Sequence, residues 1–257
     1  MKRHVVLSLI AAGLSLLGTA GANAWSVATN VPATAITSIP AGGFAITTSG
    51  NYYLASNLTV PGSVGIVVTA SEVTIDLNGR TLSGSGPASF QTGIIVSGGE
   101  DVIVQQGDID NFRTGIFWLP GAAGINAKNR VEDVNFNNNE IAVLSESGTS
   151  NWVKQCVIDG GDVGVFLNDD IGSRVSHSIF EEQQASQSVG VGTAILTEAS
   201  RGNLFDENLI ARATSLGGSA FGIIASTFDK VRFDSFVNYA ATVPIIGAKD
   251  LTDLSEN

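Results

Sequence analysis

The sequence predicts an all-β protein, folded as a right-handed single-stranded parallel β-helix of about seven coils with a cap at each end. Three observations predict it: an apolar pair recurs along the chain, a second apolar column precedes each pair, and no segment carries a sustained helical stripe. A repeat of twenty-odd residues is typical of stacked architectures, in which each unit buries its apolar face against its neighbours.

The first observation is an aliphatic residue followed five positions later by another large apolar residue. The first members of these pairs lie 27, 27, 22, 22, 29 and 27 residues apart. A leucine-rich repeat has a similar period, but its L-x-x-L-x-L framework with Asn is absent. The pairs are Leu77/Leu82, Val104/Ile109, Val131/Phe136, Val153/Ile158, Val175/Phe180, Leu204/Leu209 and Val231/Phe236.

The second observation is an apolar column that lies ahead of these pairs, usually directly after a glycine. A further column follows two residues later, which is the side-chain period of a β-strand. Trp118 belongs to this further column and is therefore predicted to lie in the core. The residues are mostly β-branched, which favours strands. The two columns are Ile66, Ile94, Ile116, Ile141, Val165, Ile195 and Ile223, and then Val68, Val96, Trp118, Val143, Leu167, Thr197 and Ala225.

The ends of the chain predict export and capping. A basic start at Lys2-Arg3-His4, an apolar stretch and an Ala22-Asn23-Ala24 cleavage signal are typical of a secretory signal peptide over residues 1–24. We therefore expect a secreted or periplasmic protein, cleaved after Ala24, with no transmembrane segment. The remaining chain is predicted to divide into an N-terminal cap at 25–45, a β-helix at 46–240 and a C-terminal cap or tail at 241–257.

The composition excludes some classes of partner and of covalent stabilisation. Removal of the predicted signal peptide leaves 11 cationic side chains against 24 acidic ones, a formal charge of −13. Such a surface repels phosphate backbones, so we expect no nucleic-acid partner. Cys156 is the only cysteine, so no disulfide can form within the chain, and we predict that it fills a small space in the core.

Segments near the start of the repeat resemble a known family. Ile36-Thr37-Ser38-Ile39-Pro40 is followed by GNYYLASNLTV from Gly50 and by VTIDLNGRTLSG from Val73. This order resembles the entry region of bacterial right-handed parallel β-helix proteins of the pectin-lyase-like superfamily, and the resemblance extends from about Ile36 to Phe236. The superfamily includes pectate lyases, polygalacturonases, uronan epimerases and adhesins, so the resemblance implies the fold without implying one activity.

The catalytic motifs of that superfamily are mostly absent from this chain. Asn168-Asp169-Asp170 is similar to one polygalacturonase motif, but the Gly-His-Gly and Arg-Ile-Lys motifs are missing, as is the Asp-Pro-His motif of mannuronan epimerases. We interpret the Asp pair as a turn. Asp108 and Asp110 are too few to form a calcium site. The sequence therefore predicts no metal and no cofactor.

One outward strip combines residue types that support acid–base chemistry. His177 is the only histidine after residue 24, and the same offset in neighbouring coils carries Asp133, Gln155 and Asp206, with Lys154 beside Gln155. Stacking would place a base, a cation and two acids near one another, a combination that can support β-elimination on a sugar. The alternative is that an outward column is simply polar and solvated.

Two long connections are candidates for ligand binding. The connection after Phe180 carries Gln183, Gln184 and Gln187, and the connection after Leu209 carries Arg212. Gln155, on the strip that carries His177, is a further candidate. Loops on a rigid scaffold often bind ligands, and stacked amides suit sugar hydroxyls. The alternative is tolerated insertion.

Two functions follow from these features. The first is a secreted, non-catalytic β-helix protein that presents a binding or structural surface, with extracellular polysaccharide as the expected ligand. The alternative is a polysaccharide lyase or glycoside hydrolase with an atypical site on the His177 strip. The oligomeric state is left open.

Overall fold

The computed structural model describes residues 32–122, 124, 126–181, 183–185, 191–211, 214–215, 219–226, 229–232, 234–237, 245–246, 250–252 and 255–256. Within these residues the regular structure consists of short β-strands and one 3-10 turn at Pro87–Ser89, with no α-helix. The absence of helix there agrees with the lack of a 3.6-residue apolar stripe in the sequence. No helix among these residues is long and apolar enough to span a bilayer.

The strands are short and follow one another at the spacing of the repeat. Strands β1 to β12 span Ala33–Ile36, Phe44–Ile46, Gly50–Leu54, Leu58–Thr59, Val64–Val68, Val73–Asp76, Thr81–Ser83, Thr92–Ser97, Ile103–Asp110, Thr114–Leu119, Arg130–Asn137 and Ile141–Glu146. Strands β13 to β28 span Trp152–Lys154, Val157–Asp159, Val163–Asn168, Arg174–Ser176, Ile179–Glu181, Gln184–Ala185, Val191–Glu198, Leu204–Asp206, Leu209–Ala211, Thr214–Ser215, Ser219–Ile224, Lys230–Arg232, Ser235–Val237, Ile245–Ile246, Asp250–Thr252 and Ser255–Glu256.

Equivalent strands of successive coils pair in parallel, which confirms the predicted parallel β-helix. In the first ladder Val104 lies opposite Val131, which lies opposite Val153 and then Val175. The second ladder contains β2, β5, β8, β10, β12, β15, β19, β23 and β26. Since paired strands lie about 4.8 Å apart, each coil adds that length along the axis. The number of coils is close to the predicted seven.

The predicted apolar columns fill the interior. Val131, Val153 and Val175 are buried, and so are Phe136 and Phe180 five residues after their partners. Trp118 is fully buried and Cys156 is buried as a free thiol, as predicted. Burial raises the pKa of the Cys156 thiol to about 12, so it stays protonated and serves as a core filler.

One predicted pair is displaced by a residue. Phe205 lies opposite Val175, and Ile210 lies opposite Phe180, whereas Leu204 and Leu209 point outward and are half-buried. The Leu204/Leu209 assignment was therefore wrong. Because both candidate pairs are apolar and five residues apart, the spacing alone could not separate them, and the core takes Phe205 and Ile210.

Two further positions differ from the predicted columns. Val143, and not Ile141, lies between Ile116 and Val165, so the Ile141 assignment was wrong by two residues. Ile141 is half-buried and its neighbours across the ladder are Thr114 and Val163. In the first coil Ile75 lies opposite Val104, so Leu77, although buried, does not start the pair.

The corners of the coils use left-handed backbone conformations. The predicted Asn78-Gly79 bend has φ angles of 56° and 64°. The same corner in later coils is formed by Gln106, Asp133, Gln155, His177 and Glu207, whose φ angles lie between 54° and 59°. A non-glycine residue rarely adopts this conformation, and the hydrogen-bonded coils on either side hold it in place.

Ladder pairing extends into both segments that the sequence assigns to caps. β1 pairs with β3 and β2 with β5, so ladder strands are present from residue 33 onward, inside the predicted 25–45 cap. β27 and β28 add to β24 and β25 inside the predicted 241–257 segment. The signal peptide at 1–24 lies outside the described residues and stays a prediction.

Candidate functional site

The outer face of the first ladder presents two columns of side chains, one on either side of the buried valines. We call this surface the outer strip. Its first column is Asn51, Thr74, Ile103, Arg130, Trp152, Arg174, Leu204 and Lys230, and its second is Tyr53, Asp76, Gln105, Glu132, Lys154, Ser176, Asp206 and Arg232. Because side chains alternate along a strand, both columns face away from the core.

His177 lies at a corner beside the outer strip, together with two of its predicted neighbours. Asp133, Gln155 and His177 are exposed and share the left-handed conformation, which supports their predicted equivalence. In the next coil that position belongs to Glu207, because the register is displaced by one residue from the prediction. The Nε2 atom of His177 lies 2.5 Å from Oε2 of Glu207. The carboxylate next to the imidazole is therefore that of Glu207.

The side chain of Asp206 occupies the outer strip and is almost completely covered. Its carboxylate accepts hydrogen bonds from Arg174 Nη2 at 2.5 Å and from Arg232 Nε and Nη2, both at 3.1 Å. Burial acts to raise the pKa of Asp206, but the hydrogen bonds from Arg232 and Arg174 outweigh it and hold the pKa below its usual value. This carboxylate joins three coils through an ion-pair network and is poorly suited to accept a proton.

Trp152 stands at the centre of a cation cluster that the sequence analysis did not find. Arg130 and Arg174, its ladder partners in the two adjacent coils, place their Cζ atoms 5.9 and 5.3 Å from the ring centroid. Lys154 places its Nζ 5.3 Å from the same ring. The indole Nε1 donates to Ser176 Oγ at 2.9 Å, which fixes the ring orientation. The strip therefore carries one aromatic ring contacted by three cations.

The repeat contained the signal for this cluster. Arg130, Trp152 and Arg174 each immediately precede the first member of a predicted pair, so their stacking follows directly from the columns. The residues that the sequence predicts for a site lie around His177, on the other side of the buried valines.

A cavity of about 470 Å³ opens on the outer strip at its N-terminal end. Four of the side chains that line it are Tyr53, Asp76, Asn78 and Gln105. Asp76 Oδ1 accepts the backbone N–H of Asn78 at 2.6 Å, and Gln105 Nε2 donates to Asp76 Oδ2 at 3.5 Å. The remaining lining residues are Ala33, Asn51, Tyr52 and Thr74. The cavity thus combines an aromatic ring with carboxylate, amide and hydroxyl groups.

The predicted binding residues in the long connections have different outcomes. Gln183 is buried, and its Nε2 donates to the carbonyl oxygens of Ile158 at 3.1 Å and Glu181 at 3.0 Å, so this amide serves the fold. Gln184 belongs to β18, which pairs with β22 of the next connection. Gln187 and Arg212 lie outside the described residues. Gln155 is exposed at its corner.

The acidic residues weighed as a catalytic motif or as calcium ligands take part in the fold. Asp170 is fully buried and accepts hydrogen bonds from the hydroxyls of Ser145 and Ser173. Asp108 and Asp110 accept amide hydrogen bonds from Asn135 at 2.9 Å and Asn137 at 2.7 Å, respectively. In the part of the chain that the structure describes, no group of three His, Cys, Asp or Glu side chains could hold a metal ion.

Comparisons with known proteins give similarity to solved structures only. No family model matches the chain, and no curated protein matches it. It is similar to an alginate lyase from Paenibacillus sp. str. FPU-7, with a TM-score of 0.41 and 11% identity over 88% of this chain and 99% of that one. The enzymatically active domain of the tailspike protein 2 of bacteriophage CBA120 gives a TM-score of 0.41 and 12% identity over 84% of this chain and 43% of that one.

A third similar structure is the surface protein and adhesin PfbA of Streptococcus pneumoniae. Its TM-score is 0.35 and its identity 6%, over 88% of this chain and 90% of that one. At these identities and TM-scores the similarities carry no information on ligand or reaction.

Proposed function

We propose that this chain is a secreted, non-catalytic β-helix protein that binds extracellular carbohydrate in the cavity on the outer strip. The observation that carries the proposal is the combination of Tyr53, Asp76, Asn78 and Gln105 around one opening of about 470 Å³. Carbohydrate is the ligand class whose chemistry matches this set.

Sugars present two kinds of surface, and the cavity has groups for both. Paired hydroxyls donate to a carboxylate such as Asp76 and exchange hydrogen bonds with amides such as Asn78 and Gln105. The C–H face of a pyranose is apolar and packs on an aromatic ring such as Tyr53. These side chains come from stacked, hydrogen-bonded strands, so little conformational freedom is lost on binding.

A non-catalytic role is favoured by the partners of the predicted catalytic residues. Asp206 is held by two arginines, and Lys154 packs on Trp152, so neither stands beside the His177 imidazole as a free acid or cation. The lyase or hydrolase alternative rests on His177 and Glu207, which lie 2.5 Å apart and are about half exposed. Both functions remain testable with the same purified protein.

Binding to a panel of neutral and acidic oligosaccharides, measured by calorimetry, tests the proposal. We expect Tyr53→Ala and Asp76→Ala each to weaken binding at least about fivefold, because each removes one of the two kinds of contact. Phe90→Ala is the matched control, since Phe90 is an aromatic side chain at the surface, 70% exposed, that lies before β8 of the second ladder and away from the cavity. It should bind like the unmodified chain.

Turnover separates the two functions. The panel is monitored for new reducing ends and for the absorbance of unsaturated uronates. We expect neither signal. Depolymerisation by the unmodified chain that is lost in His177→Gln would establish the enzymatic alternative, and unchanged affinity in Tyr53→Ala and Asp76→Ala would rule out the cavity as the binding site.

A further inference from the structure

The cationic side chains of this acidic chain are concentrated on the outer strip. Among 13 lysines and arginines in the whole sequence, five lie in its two columns between β11 and β24: Arg130, Lys154, Arg174, Lys230 and Arg232. The same stretch of the two columns holds two carboxylates, Glu132 and Asp206. The stretch is therefore net positive in a chain whose formal charge is −11.

The cluster around Trp152 is held ready for a ligand. The indole ring is fixed by its hydrogen bond to Ser176, and Arg130, Lys154 and Arg174 pack against the ring. Contacts between a cation and an aromatic face leave the outer N–H groups of the guanidinium able to donate. Because these side chains are already ordered, an anion would meet preorganised donors.

The three cations around Trp152 have few carboxylate partners among the described residues. The ion pair of Arg130 with Glu132 is long, 3.7 Å between Nη1 and Oε2. No carboxylate lies within ion-pair distance of Lys154 among the residues that the structure describes. Arg174 shares the carboxylate of Asp206 with Arg232.

The cations recur along the axis of the β-helix. Arg130 and Arg174 occupy the positions of the first column on either side of Trp152. With a rise of about 4.8 Å per coil, they are spaced by roughly 10 Å. In an extended glycan laid along the axis, this distance corresponds to every second sugar.

We propose that the cation cluster is a second binding site, which takes an extended acidic polysaccharide bearing carboxylate or sulfate groups on alternate sugars. The site extends the proposed carbohydrate function but does not share residues with the cavity. The Arg and Lys side chains select an anionic glycan over a neutral one, because they pair with its carboxylate or sulfate groups. The spacing of the cations selects a glycan whose anionic groups lie about two sugars apart.

Calorimetry with three defined probes tests the site at two salt concentrations. The probes are a hyaluronan oligosaccharide, with a carboxylate on alternate sugars, an oligogalacturonate of equal length, with a carboxylate on each sugar, and a single-stranded oligonucleotide. We expect the hyaluronan oligosaccharide to bind most tightly, and its affinity to fall as salt rises, because exposed charges are screened.

Variants locate the binding. Arg130→Gln/Lys154→Gln removes one cation with a single long ion pair and one cation with no carboxylate within ion-pair distance among the described residues, and should weaken binding of the hyaluronan oligosaccharide about tenfold. Arg80→Gln is the matched control, since Arg80 is an exposed cation outside the two columns, and a single loss of charge there should leave affinity unchanged. Circular dichroism and unfolding midpoints establish that each variant is folded.

The outcomes are distinct from those for the cavity. Tyr53→Ala should leave binding of the hyaluronan oligosaccharide intact, so a failed cavity proposal does not affect this one. Equal affinity of the double variant and the unmodified chain, tighter binding of oligogalacturonate or oligonucleotide, or no binding of any acidic glycan would each overturn the proposed site.

Discussion

At the scale of single residues, this β-helix converts a position in the repeat into a fixed environment. A residue of the inner columns touches the coils on both sides. A residue two positions before an inner one, as Ile141 is to Val143, can be partly exposed to solvent. Ile116 and Ile141 illustrate the difference, since the first is fully buried and the second half-buried although both lie in the second ladder. Identical side chains therefore have different energetic roles.

Replacement of each isoleucine by alanine measures this difference. We expect Ile116→Ala to lower the free energy of unfolding by about 2–5 kcal/mol, because the coils on either side cannot collapse into the space. Ile141→Ala should cost less than half as much, and Gln155→Ala at an exposed corner about 0.5 kcal/mol. Urea titration measures all three. Equal losses for the two isoleucines would show that the register is wrong.

Asp234 is a buried carboxylate with an uneven set of partners. Its Oδ1 accepts two hydrogen bonds from Asn208, one from the backbone N–H at 2.7 Å and one from the side-chain Nδ2 at 3.1 Å. Its Oδ2 is buried without a partner among the described residues. Burial raises the pKa of Asp234 to about 7, against the lowering effect of these hydrogen bonds. In the unfolded chain the carboxyl has its ordinary pKa of 3.8.

This difference in pKa predicts a dependence of stability on pH. Between about pH 4 and 7 the folded state binds the proton more tightly than the unfolded state, so the contribution of Asp234 to stability is complete below pH 4 and is lost as the pH rises to 7. Asp234→Asn removes the charge and keeps the Oδ1 acceptor. We expect it to stabilise the protein at pH 8 by at least about 1 kcal/mol, with little effect at pH 4.

Unfolding midpoints of both proteins at pH 4 and pH 8 provide the measurement. A stabilisation that is equal at the two pH values would indicate an effect of packing and not of ionisation.

At the scale of elements, buried amides connect each coil to the next. The side-chain Oδ1 of Asn129 accepts the backbone N–H of Val102. In the same way the Oδ1 of Asn151 accepts the backbone N–H of Asn129, and the Oγ of Ser173 accepts the backbone N–H of Asn151. The ladder continues through Asn203 to Asp229. These side chains satisfy backbone donors at a corner where the strands have ended, so the corner needs no water.

Asn151 provides a test of this ladder. Asn151→Ala leaves the buried N–H of Asn129 without an acceptor, and we expect a loss of about 1–3 kcal/mol in the free energy of unfolding. Asn151→Ser is the matched control, because serine already performs this role at position 173 of the next coil. It should cost less than the alanine variant, and the reverse order in a urea titration would contradict the ladder.

At the scale of the whole molecule, the fold is a sum of equivalent coils that contact only their neighbours. Val153 and Val175 are opposite one another and 22 residues apart, as are Val131 and Val153. A deletion of one full repeat therefore joins equivalent positions and keeps every column in register. A deletion of half a repeat brings outward residues to the core.

We expect deletion of residues 153–174 to give a folded protein that unfolds in a single cooperative transition at lower stability. Deletion of residues 153–163 should abolish the transition, because the columns no longer align. Circular dichroism during thermal and urea unfolding distinguishes the two. Similar behaviour of both deletions would contradict a structure made of equivalent coils.

The sequence was sufficient to predict the class of fold, because apolar residues that recur at a regular interval can all be buried when successive coils stack on one another. It also predicted the core role of Trp118, the burial of Cys156 and the corner conformation at Asn78-Gly79. It misplaced Leu204 and Ile141, because apolar residues one or two positions away fit a similar spacing, and only packing against the neighbouring coils decides which one turns inward.

The candidate site was less predictable, since it depends on contacts between coils. The sequence predicted Asp206 beside His177. Because the register is displaced by one residue at Leu204, Asp206 instead pairs with Arg174 and Arg232, and His177 pairs with Glu207. The cluster at Trp152 and the cavity at Tyr53 combine side chains of successive coils, such as Arg130 with Trp152 and Tyr53 with Asp76, which are more than 20 residues apart in the chain and adjacent in the stack. Register decided these contacts, because a shift of one residue exchanges the inner and outer faces of a strand.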